Sequence, residues 1–158
     1  MNPADRRSEP RLVVDAARLW AGGVATAVVA ALVALVGVLI GNGALDLDMT
    51  APPLLPVGDS FAASYAITAA VLALVATALA HLLAMTAPRP RSFFAWIVGL
   101  ATVVGVVLPL TTGDSLGGSV ATAVVDLVIG LCILSLVSSV LSRTTSIAWG
   151  RGSPGRAA

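Results

Sequence analysis

The stretch that decides the fold is residues 19–41, LWAGGVATAVVAALVALVGVLIG, which contains no charged side chain. Its apolar residues occupy every face of a helix, which is typical of a membrane span and not of an amphipathic surface helix. At ~1.5 Å per residue, the run is long enough to cross a hydrocarbon core of about 30 Å. The sequence therefore predicts a transmembrane helix here.

Three further apolar runs follow, at residues 61–85, 93–110 and 120–141. The whole chain is 58% hydrophobic and 11% charged, whereas soluble domains are about 45–50% apolar and about 25% charged. Helices satisfy their own backbone hydrogen bonds in lipid, and short links make consecutive helices antiparallel neighbours. We therefore predict an all-α membrane protein with four transmembrane helices in an antiparallel up-down-up-down bundle.

Turn residues separate the spans and define the domain boundaries. Gly41-Asn42-Gly43 is expected to end the first span, and Pro88-Arg89-Pro90 to form a tight link between the second and third. We expect a transmembrane domain over residues 11–142, a disordered cytoplasmic tail over 1–10 and a second cytoplasmic tail over 143–158. The loop at residues 42–60 is predicted to be extended and acidic, and to fold over the bundle through its leucines. These leucines are Leu45, Leu47, Leu54 and Leu55.

Every basic side chain is an arginine, and the placement of these arginines predicts the orientation. They fall before the first span, between the second and third, and after the fourth: Arg6, Arg7, Arg11, Arg18, Arg89, Arg91, Arg143, Arg151 and Arg156. In an up-down bundle all nine lie on one side, and the loops on the other side carry Asp46, Asp48, Asp59 and Asp114. Because cytoplasmic loops are rich in arginine, we predict a multi-pass protein of the plasma (inner) membrane with both termini cytoplasmic.

Small residues recur at a spacing that predicts helix packing faces, because small side chains let backbones approach in lipid. The 4-3-4-3-4 spacing in the first span gives Gly23, Ala27, Ala30, Ala34, Gly37 and Gly41. The second span repeats it with Ala66, Ala70, Ala73, Thr77, Ala80 and Ala84. The third span offers Ala95, Gly99 and Thr102, and the fourth offers Ser119, Ala123, Asp126 and Gly130. Each set is expected to face a neighbouring helix.

Asp126 is the acidic residue within a predicted span, and a central carboxylate is costly in a membrane. We expect it to point into the bundle, toward Thr68 and Tyr65 on the second span or Thr102 on the third. Two roles are open: a proton or cation relay, or a buried hydrogen-bonding group that fixes helix register. His81 lies ~15 Å from this depth, and it is either an interhelical hydrogen-bonding residue or part of a relay or ligand site.

No motif predicts catalysis. The chain has one cysteine and one histidine, and it contains no metalloprotease, nucleotide-binding or CxxC signature. We therefore predict neither an enzyme nor a cofactor or metal site. With a net charge of +1, nucleic acid is not an expected partner. The expected partners are the lipid bilayer and either a second copy of the chain or another membrane protein.

The chain also resembles a known family, and the resemblance supports the prediction of a four-helix membrane protein. The Gly/Ala-rich first span, the outer-loop segment Pro52-Pro53-Leu54-Leu55-Pro56 and the Asp126-bearing fourth span are similar to an uncharacterised family of small four-helix integral membrane proteins of actinobacteria. The resemblance implies no activity. The favoured function is a structural or accessory membrane protein that packs through small-residue helix faces. The alternative is a small proton-coupled transporter in which Asp126 is the titrating group.

Overall fold

The computed structural model describes residues 16–47, 49, 60–113 and 115–144. Within them lie four helices, α1 (Ala16–Val38), α2 (Phe61–Thr86), α3 (Pro90–Thr112) and α4 (Leu116–Thr144), and a π-helical segment Leu39–Ala44 continues α1. These residues contain no strand. Each helix is long and apolar enough to cross a membrane, which confirms the predicted all-α membrane fold. Residues 143 and 144, predicted to begin the second tail, instead end α4, and the rest of both predicted tails lies outside the described residues.

Local sequence explains where α2 and α3 begin. The Ser60 hydroxyl accepts a hydrogen bond from the Ala63 N–H at 3.2 Å, which caps the first turn of α2. Pro90 occupies the start of α3, where its missing N–H costs no helical hydrogen bond. Only residues 87–89 separate the two helices, so the end of α2 and the beginning of α3 lie at the same end of the bundle.

The first span does not end at Gly41-Asn42-Gly43 as predicted, because the helix widens there into a π-helical turn that reaches Ala44. The Leu45 N–H donates to the Ile40 carbonyl at 3.0 Å, and Asp46 then turns the chain with a φ of 51°. Aspartate adopts this left-handed conformation more readily than most residues, which allows the reversal. The Asn42 Oδ1 accepts from the Met49 N–H at 3.2 Å.

The segment after this turn covers part of one bundle end. Met49 is buried beside Gly41, and Leu47 lies against Gly117. Leu45 is 60% exposed, so the expectation that it folds onto the bundle is wrong, since Asp46 reverses the chain only after it. The rest of the predicted loop, including Leu54 and Leu55, lies outside the described residues.

The core lies where α1 packs against α2 and α4, and α3 is peripheral and packs mainly on α4. Ala30, Ala34, Ala73 and Ala80 have no exposed surface. These alanines belong to the two small-residue faces predicted for the first and second spans, whose central residues are therefore buried.

The face predicted for the third span is wrong in part. Ala95 is exposed, and a side chain added at Gly99 would meet no atom within 4 Å. The buried residues of α3 are instead Phe94, Val98 and Pro109. The interface of α3 therefore uses larger side chains on a neighbouring strip of the helix.

Candidate intramembrane polar site

Asp126 is held by a side chain from another helix. The Tyr65 hydroxyl on α2 donates a hydrogen bond to the Asp126 Oδ1 on α4. Tyr65 is 6% exposed, and the Phe61 ring stacks on it with centroids 5.8 Å apart and an interplanar angle of 18°. The stacking supports the Tyr65 ring within α2, and the hydrogen bond joins the first turns of α2 to α4.

The sequence around Asp126 allows this approach. Ser119 and Ala123 are buried on the same side of α4, two turns and one turn before Asp126 respectively. Their short side chains leave room for the large Tyr65 ring beside the carboxylate. The small face predicted for the fourth span therefore receives an aromatic side chain.

The nearby hydroxyl groups do not donate to Asp126. Thr68 donates to the Ser64 carbonyl and Thr102 to the Val98 carbonyl, each at 2.8 Å. A threonine hydroxyl has a single proton to donate, and both threonines give it to the carbonyl four residues earlier in their own helix. Of the polar side chains considered for Asp126, the structure brings Tyr65 to it as a donor.

His81 is not part of this site. It lies sixteen residues beyond Tyr65 on the same helix, a rise of about 24 Å. Its Nδ1 is buried and has no hydrogen-bond partner among the described residues. No group of three potential metal ligands occurs in the described part of the chain.

A second arrangement was not predicted from the sequence: four glycines each face a β-branched side chain of another helix. A Cβ at Gly22 would lie 2.6 Å from the Val140 Cγ2, and one at Gly37 would lie 2.7 Å from the Val125 Cγ1. The remaining two pairs, Gly23 with Thr77 and Gly130 with Thr102, are also too close to admit a Cβ. These four contacts, called the glycine pairs below, join α1 to α2, α1 to α4, and α3 to α4.

The β-branched partners are conformationally rigid. Valine in a helix has one strongly preferred χ1 rotamer. Thr77 and Thr102 are fixed by their hydroxyls, which donate to the Ala73 and Val98 carbonyls at 2.8 Å. A rigid side chain cannot move aside for a larger residue, so each glycine pair requires glycine. The small-residue spacing indicated Gly23, Gly37 and Gly130, but nothing in one helix identifies the opposing side chain.

These observations define a class of protein: a helical membrane protein whose four apolar helices are joined by close glycine contacts and by one tyrosine–aspartate hydrogen bond. The model of a family of unknown function, DUF6069, matches residues 14–143. The chain therefore belongs to this family. Comparison with curated proteins and with solved structures gives no match.

Proposed function

We propose that this chain is a structural or accessory protein of the plasma (inner) membrane, without enzymatic activity or a cofactor, that acts by packing against a second copy or another membrane protein. The glycine pairs carry this proposal. They make the four helices a closely fitted body, which suits a protein that presents a fixed surface.

The centre of the bundle supports this role over proton-coupled transport. Buried alanines from α1 and α2, such as Ala30 and Ala73, pack in one core with Ile129 and Ile133 of α4. The two isoleucines follow Asp126 on α4 and continue the helix away from the Tyr65–Asp126 pair. A transport pathway requires polar groups or water at this depth, whereas the side chains of this cluster are apolar and the nearby buried Thr26 and Thr77 donate to carbonyls of their own helices.

The glycine pairs also support the up-down arrangement. Gly22 and Gly37 are fifteen residues apart on α1, and their partners Val140 and Val125 are fifteen residues apart on α4 in the reverse order. This pairing is what antiparallel helices produce. Together with the arginine distribution, it favours an up-down-up-down bundle with both termini in the cytoplasm.

The orientation is tested by cysteine labelling on a Cys132→Ser background. With a membrane-impermeant maleimide applied to intact cells, Ser115→Cys between α3 and α4 is expected to react. Ser153→Cys near the C-terminus is expected to react only after permeabilisation. The opposite pattern would overturn the proposed orientation.

The functional proposal is tested by proton flux into proteoliposomes that contain a pH-sensitive dye. The wild type and Asp126→Asn are expected to match protein-free liposomes. A flux that appears with the wild type and disappears with Asp126→Asn would replace the structural role with transport. Native mass spectrometry from nanodiscs then tests the first of the two partners: a dimer mass supports a second copy, and a single-chain mass excludes it and leaves another membrane protein as the proposed partner.

A further inference from the structure

An open groove of about 280 Å³ lies between α1 and α2, and its lining is entirely apolar. Ala27, Ala31 and Ala70 leave the recess because their side chains are short, and Val28 and Leu74 also line it. The groove lies on the outer side of the α1–α2 contact, where Val28 is 56% exposed. In a bilayer an acyl chain or another helix fills such a space.

One end of the groove leads to polar side chains. His81 lies seven residues beyond Leu74, and therefore on the same strip of α2 two turns further on. Trp20 lies seven residues before Ala27 on α1. The contact of Gly23 with Thr77 puts Trp20 and His81 at the same end of the helix pair. Both rings carry nitrogen atoms, and the indole nitrogen is a hydrogen-bond donor.

The same end of the bundle is positively charged. Arg89 and Arg91 are exposed just after α2 ends. The acidic residues in the described part of the chain, Asp46 and Asp126, lie after the other end of α1 and beside the beginning of α2. The groove thus extends from an apolar middle toward a basic, hydrogen-bonding end, and this order matches a phospholipid with an anionic headgroup.

We propose that the α1–α2 groove binds one anionic glycerophospholipid, with an acyl chain along Ala27, Ala31 and Ala70 and the headgroup at the Arg89 and Arg91 end. Charge complementarity favours a lipid over a second copy of this chain. A parallel copy packed at the groove would bring its own Arg89 and Arg91 to the same end, where like charges repel. A lipid supplies the negative charge and the apolar chain in one molecule.

Tryptophan quenching by lipids brominated on the acyl chain tests this site. Trp96→Phe with Trp149→Phe leaves Trp20 beside the groove as the reporter. Leu108→Trp, introduced together with Trp20→Phe, Trp96→Phe and Trp149→Phe, places the matched control reporter near the opposite end of α3, at a position that is 48% exposed. We expect brominated phosphatidylglycerol to compete for the Trp20 site better than brominated phosphatidylcholine, by about fivefold per participating arginine. At residue 108, far from the two arginines, the two lipids are expected to quench nearly equally.

Two sets of variants identify the groove and the charges. Arg89→Gln with Arg91→Gln is expected to reduce the preference at Trp20 toward the value at residue 108. Ala31→Phe, which fills the groove, is expected to reduce quenching of Trp20 by both lipids, whereas Ala101→Phe on the exposed side of α3 leaves it unchanged. Circular dichroism spectra that match the wild type establish that each variant is folded.

Equal preference at Trp20 and at residue 108, or quenching of Trp20 that Ala31→Phe does not alter, would overturn the proposal. A dimer in native mass spectra that Ala31→Phe converts to a single chain would also overturn it, because a second copy would then occupy the groove.

Discussion

Helices α1 and α3 are both 23 residues long and similarly apolar, yet they are used differently. Their membrane spans have mean hydropathies of 2.7 and 2.3, but 33% of the first and 17% of the second is buried. Gly22, Gly23 and Gly37 of α1 face side chains of other helices at close range, whereas Gly99 and Gly105 of α3 face open space.

Apolarity therefore places a helix in the membrane but does not determine which of its sides packs against other helices. Lipid is as apolar as leucine, so association depends on close van der Waals fit and on interhelical hydrogen bonds. A glycine contributes to that fit only when a side chain of another helix fills the space above it. We call the glycines of the glycine pairs filled, and Gly99 and Gly105, which face no atom within 4 Å, open. Substitutions at filled and at open glycines therefore test the packing directly.

The largest effect is expected at a filled glycine. Gly23→Ala forces a Cβ onto Thr77, whose β-branched side chain cannot move aside, and overpacking at so close a contact is expected to cost about 3 kcal/mol. The better helix propensity of alanine offsets roughly 1 kcal/mol of this cost. We expect a net loss in the free energy of unfolding, measured by SDS titration in mixed micelles. Unchanged or increased stability would contradict the close contact between α1 and α2.

The Tyr65–Asp126 hydrogen bond should have a smaller effect. Interhelical hydrogen bonds in membranes contribute about 0.6–2 kcal/mol, so Tyr65→Phe and Asp126→Leu should each destabilise by an amount in that range. Asp126→Asn retains an acceptor oxygen and should remain close to the wild type. If the effects of Tyr65→Phe and Asp126→Leu simply add in the double variant, the two side chains do not interact.

The smallest effect, with the opposite sign, is expected at the open glycines of α3. Gly99→Ala and Gly105→Ala meet no atom within 4 Å, so the gain in helix propensity is not opposed. The same SDS titration should show a free energy of unfolding that is unchanged or raised by up to about 1 kcal/mol. A loss comparable to that of Gly23→Ala would mean that a partner covers this side of α3.

Part of this structure could be predicted from the sequence, for physical reasons. Hydropathy identified the four helices, and the small-residue spacing identified the buried faces of α1 and α2, because both features belong to single helices. Choosing Tyr65 over Thr68 and Thr102 as the donor to Asp126 required the structure. Threonine in a helix tends to bond its own backbone, but this tendency does not reveal which side chain reaches across.

The contacts of α3 and the glycine pairs depend on the register between helices. This register cannot be predicted from the sequence of any one helix. Phe94 and Val98 are as apolar as their exposed neighbours, so composition does not distinguish the buried strip of α3. Likewise, Val125 and Val140 become informative only when α1 and α4 are aligned. The π-helical turn at Leu39–Ala44 was missed because the glycines there are typical of a helix end.

The close packing of α1 on α2 is tested most directly by a double-mutant cycle on Gly23 and Thr77. The quantity measured is the free energy of unfolding in mixed micelles. Gly23→Ala is expected to be destabilising in the wild type and much less so beside Thr77→Ala, because removal of the threonine γ atoms opens space for the new Cβ. We predict an interaction energy of about 1 kcal/mol or more between the two sites. If the two effects add to within about 0.5 kcal/mol, Thr77 does not fill the space above Gly23. This result would contradict the conclusion that the glycine pairs hold the helices in close contact.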